Sequence, residues 1–215
     1  MNLSPKAQDL YDQISTTSTK LGDLKKMAKL IKKDHDLALE LWSTAEYLPR
    51  MLATLILDKK LLTQALIDEL TEAMQNQSDD EQSRIMEWLM ANQLMKDKKT
   101  MALMLSWENS PSPLQRRTFW YYQARLRWTG QTGHDNTPAL LSKIESDLAS
   151  EAPAVQWAMN FTAAWIGIYD SQHRERIITL GEATGLYKEE VPVKGCTPNY
   201  LPAFIETELA KGKGK

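Results

Sequence analysis

Two adjacent arginines, Arg116 and Arg117, lie in the segment LQRRTFWYYQARLRW, where cations and aromatic rings share one short stretch. Guanidinium forks match phosphate oxygens in pairs, so arginines on an aromatic helix point to nucleic-acid backbone contact, with internal salt bridging as the competing use. Lys20, Lys25, Lys26, Lys29, Lys32 and Lys33 form an earlier basic cluster. Within it Lys25, Lys29 and Lys33 recur at helical spacing, a stripe that either meets phosphates or faces solvent. Trp88, Trp120, Tyr121, Tyr122 and Phe161 offer ring faces to a cationic base or to sugar edges, an attraction of about 0.5 to 2 kcal/mol each. For Trp42, Trp107, Trp120, Trp128, Trp157 and Trp165 packing in the core is nevertheless expected over ligand contact.

Other chemistries lack their residues. His35, His134 and His173 are far apart and show no paired metal-ligand spacing, so neither a metal nor a cofactor is expected. His35 is read as a helix-start residue and the lone Cys196 as structural. The chain contains no CxxC pair, no nucleophile elbow and no phosphate-cradling glycine loop.

The 215 residues are 42% hydrophobic and 25% charged, as in globular proteins, and contain no run of about 18 apolar residues. The N-terminal MNLSPKAQDLYDQ lacks the apolar segment of a secretory signal, and a cytoplasmic location with no membrane contact is expected. A net charge of -2 gives no global attraction to nucleic acid, so any DNA binding must be local.

Apolar residues recur at three- and four-residue spacing nearly throughout, and no alternating strand pattern persists. About ten helices are expected. Ser4-Pro5 opens one through Ile14, and Gly22-Asp23 opens the lysine-striped second. Leu48–Leu57 is apolar on all sides and belongs deep in the fold, and Leu62–Met74 and Asp80–Leu94 follow. Two more helices are expected before the middle of the chain, then helices restarting at Pro113, Thr137-Pro138 and Pro153, with Thr129–Thr137 as a long loop. Ser171–Gly185 and a short last helix complete the chain. The expected fold is all-α, a HEAT-like helical-repeat solenoid in one domain over 1–215, with a leading helix at 1–20, a core at 21–190 and a closing segment at 191–215. A compact bundle is the competing architecture.

The stretch LGDLKKMAKLIKKDHDLALELWSTAEYLPRMLATLILD resembles the early helices of the AlkD-like DNA alkylation repair family, and LQRR, VQWAMNF and KGCTPNYLPAFI resemble later segments. The resemblance implies a HEAT-like fold holding duplex DNA on a concave basic surface and, in active members, hydrolysis of the N-glycosidic bond of cationic alkylated purines. It also implies a catalytic tryptophan followed four residues later by an aspartate, which Trp88 and Asn92 match with asparagine in the aspartate's place. Leu89 stands where the pattern has its other aspartate, and Arg116 matches the family arginine. Phe161 falls where many members carry tryptophan, and Ala164 replaces an arginine.

Loss of a cationic purine leaves an oxocarbenium-like sugar that a carboxylate stabilises. Asparagine can only orient water, a difference of roughly 3 to 4 kcal/mol, or two to three powers of ten in rate. Glu87 and Asp97 are the nearby carboxylates that could substitute. The resemblance thus leads to a reading in which Arg116, Arg117, Phe161, Lys25, Lys29 and Lys33 hold duplex DNA and Trp88, Asn92 and Arg116 occupy the catalytic positions, with excision of alkylated purines open. The alternatives are a non-catalytic DNA-structure-binding module and a scaffold for a protein partner.

Overall fold

The computed structural model describes residues 3–14, 19–131 and 134–214, apart from the His134 side chain. Among these residues the secondary structure is helical throughout: twelve α-helices and three short 3-10 turns. The chain divides into two compact units, Met1–Trp107 and Glu108–Lys215.

The first unit holds α1 (Pro5–Ile14), α2 (Leu21–Ile31), α3 (His35–Ser43), α4 (Tyr47–Ile56), α5 (Gln64–Glu72), α6 (Asp79–Asn92) and α7 (Lys98–Leu105). Side-chain oxygens accept the orphan N–H groups that begin most of them. Ser4 Oγ takes Ala7 N at 3.2 Å, Asp34 Oδ1 takes Leu37 N at 3.2 Å and Thr63 Oγ1 takes Leu66 N at 3.2 Å. Ser78 does the same for α6, accepting from Glu81 N at 3.3 Å.

The apolar α4 is the hub of this unit. Met51, Leu52, Ala53 and Ile56 are fully enclosed, as the sequence pattern requires. Arg50 is enclosed with them, only 2% exposed, and spans three elements: Nε donates to Trp42 O at 3.0 Å, Nη2 to Ala73 O at 2.8 Å and Nη1 to Gln77 Oε1. At the other end of α4, Gln93 Nε2 donates to the carbonyls of Thr54 and Leu57 at 3.0 and 3.3 Å. With Arg50 tying the start of α4 to the approach to α6, and Gln93 tying the two far ends, α4 and α6 run in the same direction. Asp34 N, at the start of α3, bonds Ile56 O at 2.9 Å, which brings the junction of α2 and α3 to that same edge.

The second unit is α8 (Pro113–Trp128), α9 (Thr137–Asp147), α10 (Pro153–Tyr169), α11 (Ser171–Thr184) and α12 (Leu201–Ala210). Proline opens α8 and α10, where its missing N–H costs nothing and its fixed φ suits the first turn. α10 is the central helix, packed against the other four. Its Thr162 hydroxyl reaches Trp120 O of α8 at 2.7 Å.

Arg127 is 2% exposed and donates to Gln123 O at 2.9 Å and to Asn136 Oδ1 and Thr137 Oγ1 at 3.1 Å each, joining α8 to the start of α9. Burial pushes its pKa down to about 10.

α11 admits α12 because Gly181 has no side chain. A Cβ there would lie 2.7 Å from both Leu201 Cβ and Pro202 Cδ, closer than atoms pack. Gly181→Ala is therefore expected to push α12 off α11 and cost about 1 to 3 kcal/mol by chemical denaturation.

Three regions differ in detail from the sequence pattern. Instead of two helices after Leu94, α7 stands between 3-10 turns at Leu94–Lys96 and Ser106–Asn109. Leu62–Met74 narrows to Gln64–Glu72 because Thr63 caps the helix. The loop expected over Thr129–Thr137 carries a 3-10 turn at His134–Asn136, while Thr132 and Gly133 lie outside the described residues. No helix among the described residues is long and apolar enough to cross a membrane.

Candidate nucleic-acid interface

In the first unit, α6 presents Trp88 and Asn92 one turn apart, so both fall on one helix face. Asn92 is turned back onto its own helix: its Nδ2 donates to Trp88 O at 2.7 Å. An aspartate has no such donor. Leu89 is fully buried and belongs to the core.

The half-buried Trp88 ring is already covered by a cation, since Lys25 Nζ of α2 stands 4.8 Å from its centroid. Asp97 and Glu87 are the carboxylates considered as substitutes. Asp97 caps α7, accepting from Lys99 N at 2.9 Å, and position 87 points about 100° around the helix from Trp88.

The lysine stripe divides. Lys33 pairs with Asp58 at 2.8 Å and holds that carboxyl below the usual range, and Lys26 pairs with Asp23 at 3.0 Å. Lys25 and Lys29 are exposed, and Lys29 makes no ion pair among the described residues. Of the three lysines expected to meet phosphate, Lys29 is thus the one with an uncommitted charge. Lys25 is engaged with Trp88 and Lys33 with Asp58.

In the second unit the two adjacent arginines have different surroundings. Arg116 forms a two-pronged pair with Glu151, Nε to Oε1 at 3.0 Å and Nη2 to Oε2 at 2.9 Å, and its Nη1 donates to Ser110 O at 2.7 Å. It closes the start of α8 against the turn before α10, the salt-bridging alternative of the sequence reading. Its hydrogen bond holds the Glu151 carboxyl below the ordinary glutamate range.

A depressed carboxylate pKa contributes stability that is complete above the unfolded value, about 4.3, and is lost as pH falls through the folded value. Glu151→Gln is therefore expected to cost about 1 to 2 kcal/mol at neutral pH. That deficit should vanish as the pH is taken down from about 4.3, when denaturant midpoints of variant and wild type are compared across pH.

Arg117 is only 6% exposed, with its guanidinium carbon 5.6 Å from the Tyr121 centroid and 5.1 Å from that of Trp157. Phe161 completes a triangle with those two rings, nearly parallel to Trp157 at 4.9 Å and 14° and to Tyr121 at 5.9 Å and 9°. Trp128 meets Phe161 edge-on at 5.5 Å, and Arg125 lies 5.8 Å above Trp128.

Tyr121 faces Trp157 and Phe161 while Trp128 faces Phe161 and Trp165, so contacts advance together along α8 and α10, which run in the same direction. Trp128 and Trp157, expected in the core, are half-buried members of this group beside Tyr121 and Phe161. The signal was present in the spacing: residues 117, 121 and 128 share one face of α8, and 157, 161, 165 and 169 recur every four residues in α10.

Trp120 and Tyr122, the other rings considered for ligand contact, are 1% and 4% exposed and are core. Cys196 is an exposed free thiol. No three His, Cys, Asp or Glu side chains gather into a metal-holding group among the described residues.

Hairpin-linked helices with parallel inner members define a HEAT-like helical-repeat protein. The solved structure it resembles, at a TM-score of 0.68 over 99% of this chain and 91% of the other, is described as belonging to "a new family of proteins related to the HEAT-like repeat DNA glycosylases with affinity for branched DNA structures". Sequence identity to it is 18%, so the likeness is one of fold. The sequence matches the DNA alkylation repair enzyme family over residues 10–183, and the chain belongs to that family. No curated protein matches it significantly.

Proposed function

We propose that this chain is a DNA-binding member of the alkylation repair family that recognises DNA structure and leaves the bases in place. The observation that carries the reading is the Lys25 ammonium seated over Trp88, beside an Asn92 whose amide is bonded to its own helix. Where the resemblance calls for an anion facing a cationic purine, this chain has a cation and a neutral amide. A positively charged base brought to that ring would meet like charge and would displace an existing cation–π contact.

Loss of the excision chemistry leaves the binding chemistry intact. Family membership and the description of the structural neighbour both support DNA as the ligand, and branched DNA as its form. The exposed Lys29 and the half-buried Arg125 are the cations that would meet phosphate.

The reading is tested with a four-way junction and a linear duplex of equal length, titrated at roughly 50 and 200 mM salt. Tighter binding of the junction, weakening with salt, is expected, with no base released from 7-methylguanine duplexes in a single-turnover assay. Salt-insensitive or absent DNA binding, or release at a rate above the buffer control, would overturn it.

A further inference from the structure

The corner between α2 and α3 combines three features that a solvated helix end does not require. Leu30 is 84% exposed, whereas the other exposed large apolar side chains of the helices, Leu21 and Leu105, do not pass 45%. It stands among cations. Lys26 is one turn before it, Lys29 and Lys32 flank it in the chain, and all three are exposed.

The carboxylates of this corner are already matched, Asp23 by Lys26 at 3.0 Å, Asp34 by Lys6 at 2.6 Å and Asp58 by Lys33 at 2.8 Å. Lys29 and Lys32 make no ion pair among the described residues, so the corner carries surplus positive charge.

Lys32 itself holds φ 66° and ψ -120°, the leading central position of a type II′ turn, which glycine adopts freely and a residue with a side chain only under strain. Its neighbours enforce that bend. Lys32 N closes α2 on Ala28 O at 2.8 Å, and directly afterwards Lys33 is held by Asp58 and Asp34 N by Ile56 O at 2.9 Å. What the lysine adds over glycine is a free cation at the bend.

Unpaired lysines bracketing a projecting leucine suit a polyanion that has an apolar face to offer, which a continuous base stack lacks. We propose that this corner reads breaks in base stacking: Leu30 enters the open step at a DNA branch point while Lys29 and Lys32 hold the phosphates on either side.

The inference rests on the DNA-binding reading and supplies a source for its preference for branched DNA. In a linear duplex the same leucine must first unstack a base step, whereas at a branch point the step is already open.

The test uses the full chain with a four-way junction and a linear duplex of equal length, each carrying 2-aminopurine at its centre. Wild-type protein is expected to raise the emission of the junction probe, as its base loses a stacking neighbour, and to leave the duplex probe unchanged. Leu30→Ser is expected to bind the junction about 10-fold more weakly and the duplex as before. Lys32→Gly is expected to weaken binding to both DNAs and to reduce the salt slope by about 1, without lowering the thermal midpoint, because glycine relieves the backbone.

The probe comparison needs no variant, so a substitution that unfolds the protein leaves the test intact. Wild-type junction affinity in Leu30→Ser or Lys32→Gly, or an unchanged junction probe, would overturn this inference while the DNA-binding reading stands. Absence of junction preference, or of salt-sensitive binding, in the wild type would overturn both.

Discussion

The double variant Asn92→Asp/Lys25→Ala is expected to release 7-methylguanine from duplex DNA about 100-fold faster than the wild-type protein, because it restores one preorganised charge to the site. Asn92→Asp alone is expected to gain far less. Aspartate cannot donate to the Trp88 carbonyl as Asn92 does at 2.7 Å, so the carboxylate leaves the helix surface. Lys25, 4.8 Å above the neighbouring ring, is then available to neutralise it. Removing the lysine frees both the carboxylate and the ring face. Single-turnover release at low salt measures all three proteins. Equal rates for the single and double variants would show that Lys25 does not occlude the site, and no gain in either would show that more than one missing charge separates this protein from catalysis.

Arg50→Ala is expected to cost about 3 to 5 kcal/mol, through a large cavity and the loss of three hydrogen bonds. For a chain of this size that corresponds to a thermal midpoint lowered by roughly 10 °C. Arg50 lies at 2% exposure and supplies the donors to Trp42 O, Ala73 O and Gln77 Oε1. Arg50→Met, which keeps most of the volume and removes the buried charge, should lose less, because a desolvated cation is itself costly. Differential scanning calorimetry on both variants separates the cavity from the hydrogen bonds. A midpoint for Arg50→Ala within about 2 °C of wild type would mean that water replaces the guanidinium, since 1 kcal/mol moves the midpoint by about that much.

Helix positions were largely legible in the sequence because their signals are local. Ser4-Pro5 and Pro113 mark helix starts through their own φ and caps, and the all-round apolar run of α4 marks its own burial. The site was less legible because its geometry depends on distant partners. Nothing near Arg116 announces Glu151, 35 residues later, so its fork reads equally as a phosphate clamp or an ion pair. The same holds for Lys25, whose partner is a ring four helices along the chain. In contrast, the aromatic layer of α8 and α10 follows from four-residue spacing within each helix. What the spacing lacks is the register between the two helices, which packing alone determines.

Arg50 and Arg127 also bear on how the helices within each unit reach their final arrangement. Among the described residues, each is enclosed without a carboxylate at ion-pair distance and each donates to carbonyl, amide or hydroxyl oxygens contributed by more than one element, Arg127 through both terminal nitrogens while its Nε has no partner. Such acceptors converge only when neighbouring helices stand at one particular offset. A hairpin docked one turn out of place would enclose the same cation with its donors unanswered, and so would lie well above the native state in free energy. Apolar contacts tolerate such slippage, because one leucine fits much where another did. The two arginines thus serve as alignment gauges, widening the gap between the folded chain and the misdocked forms that a repeat-built protein can otherwise populate.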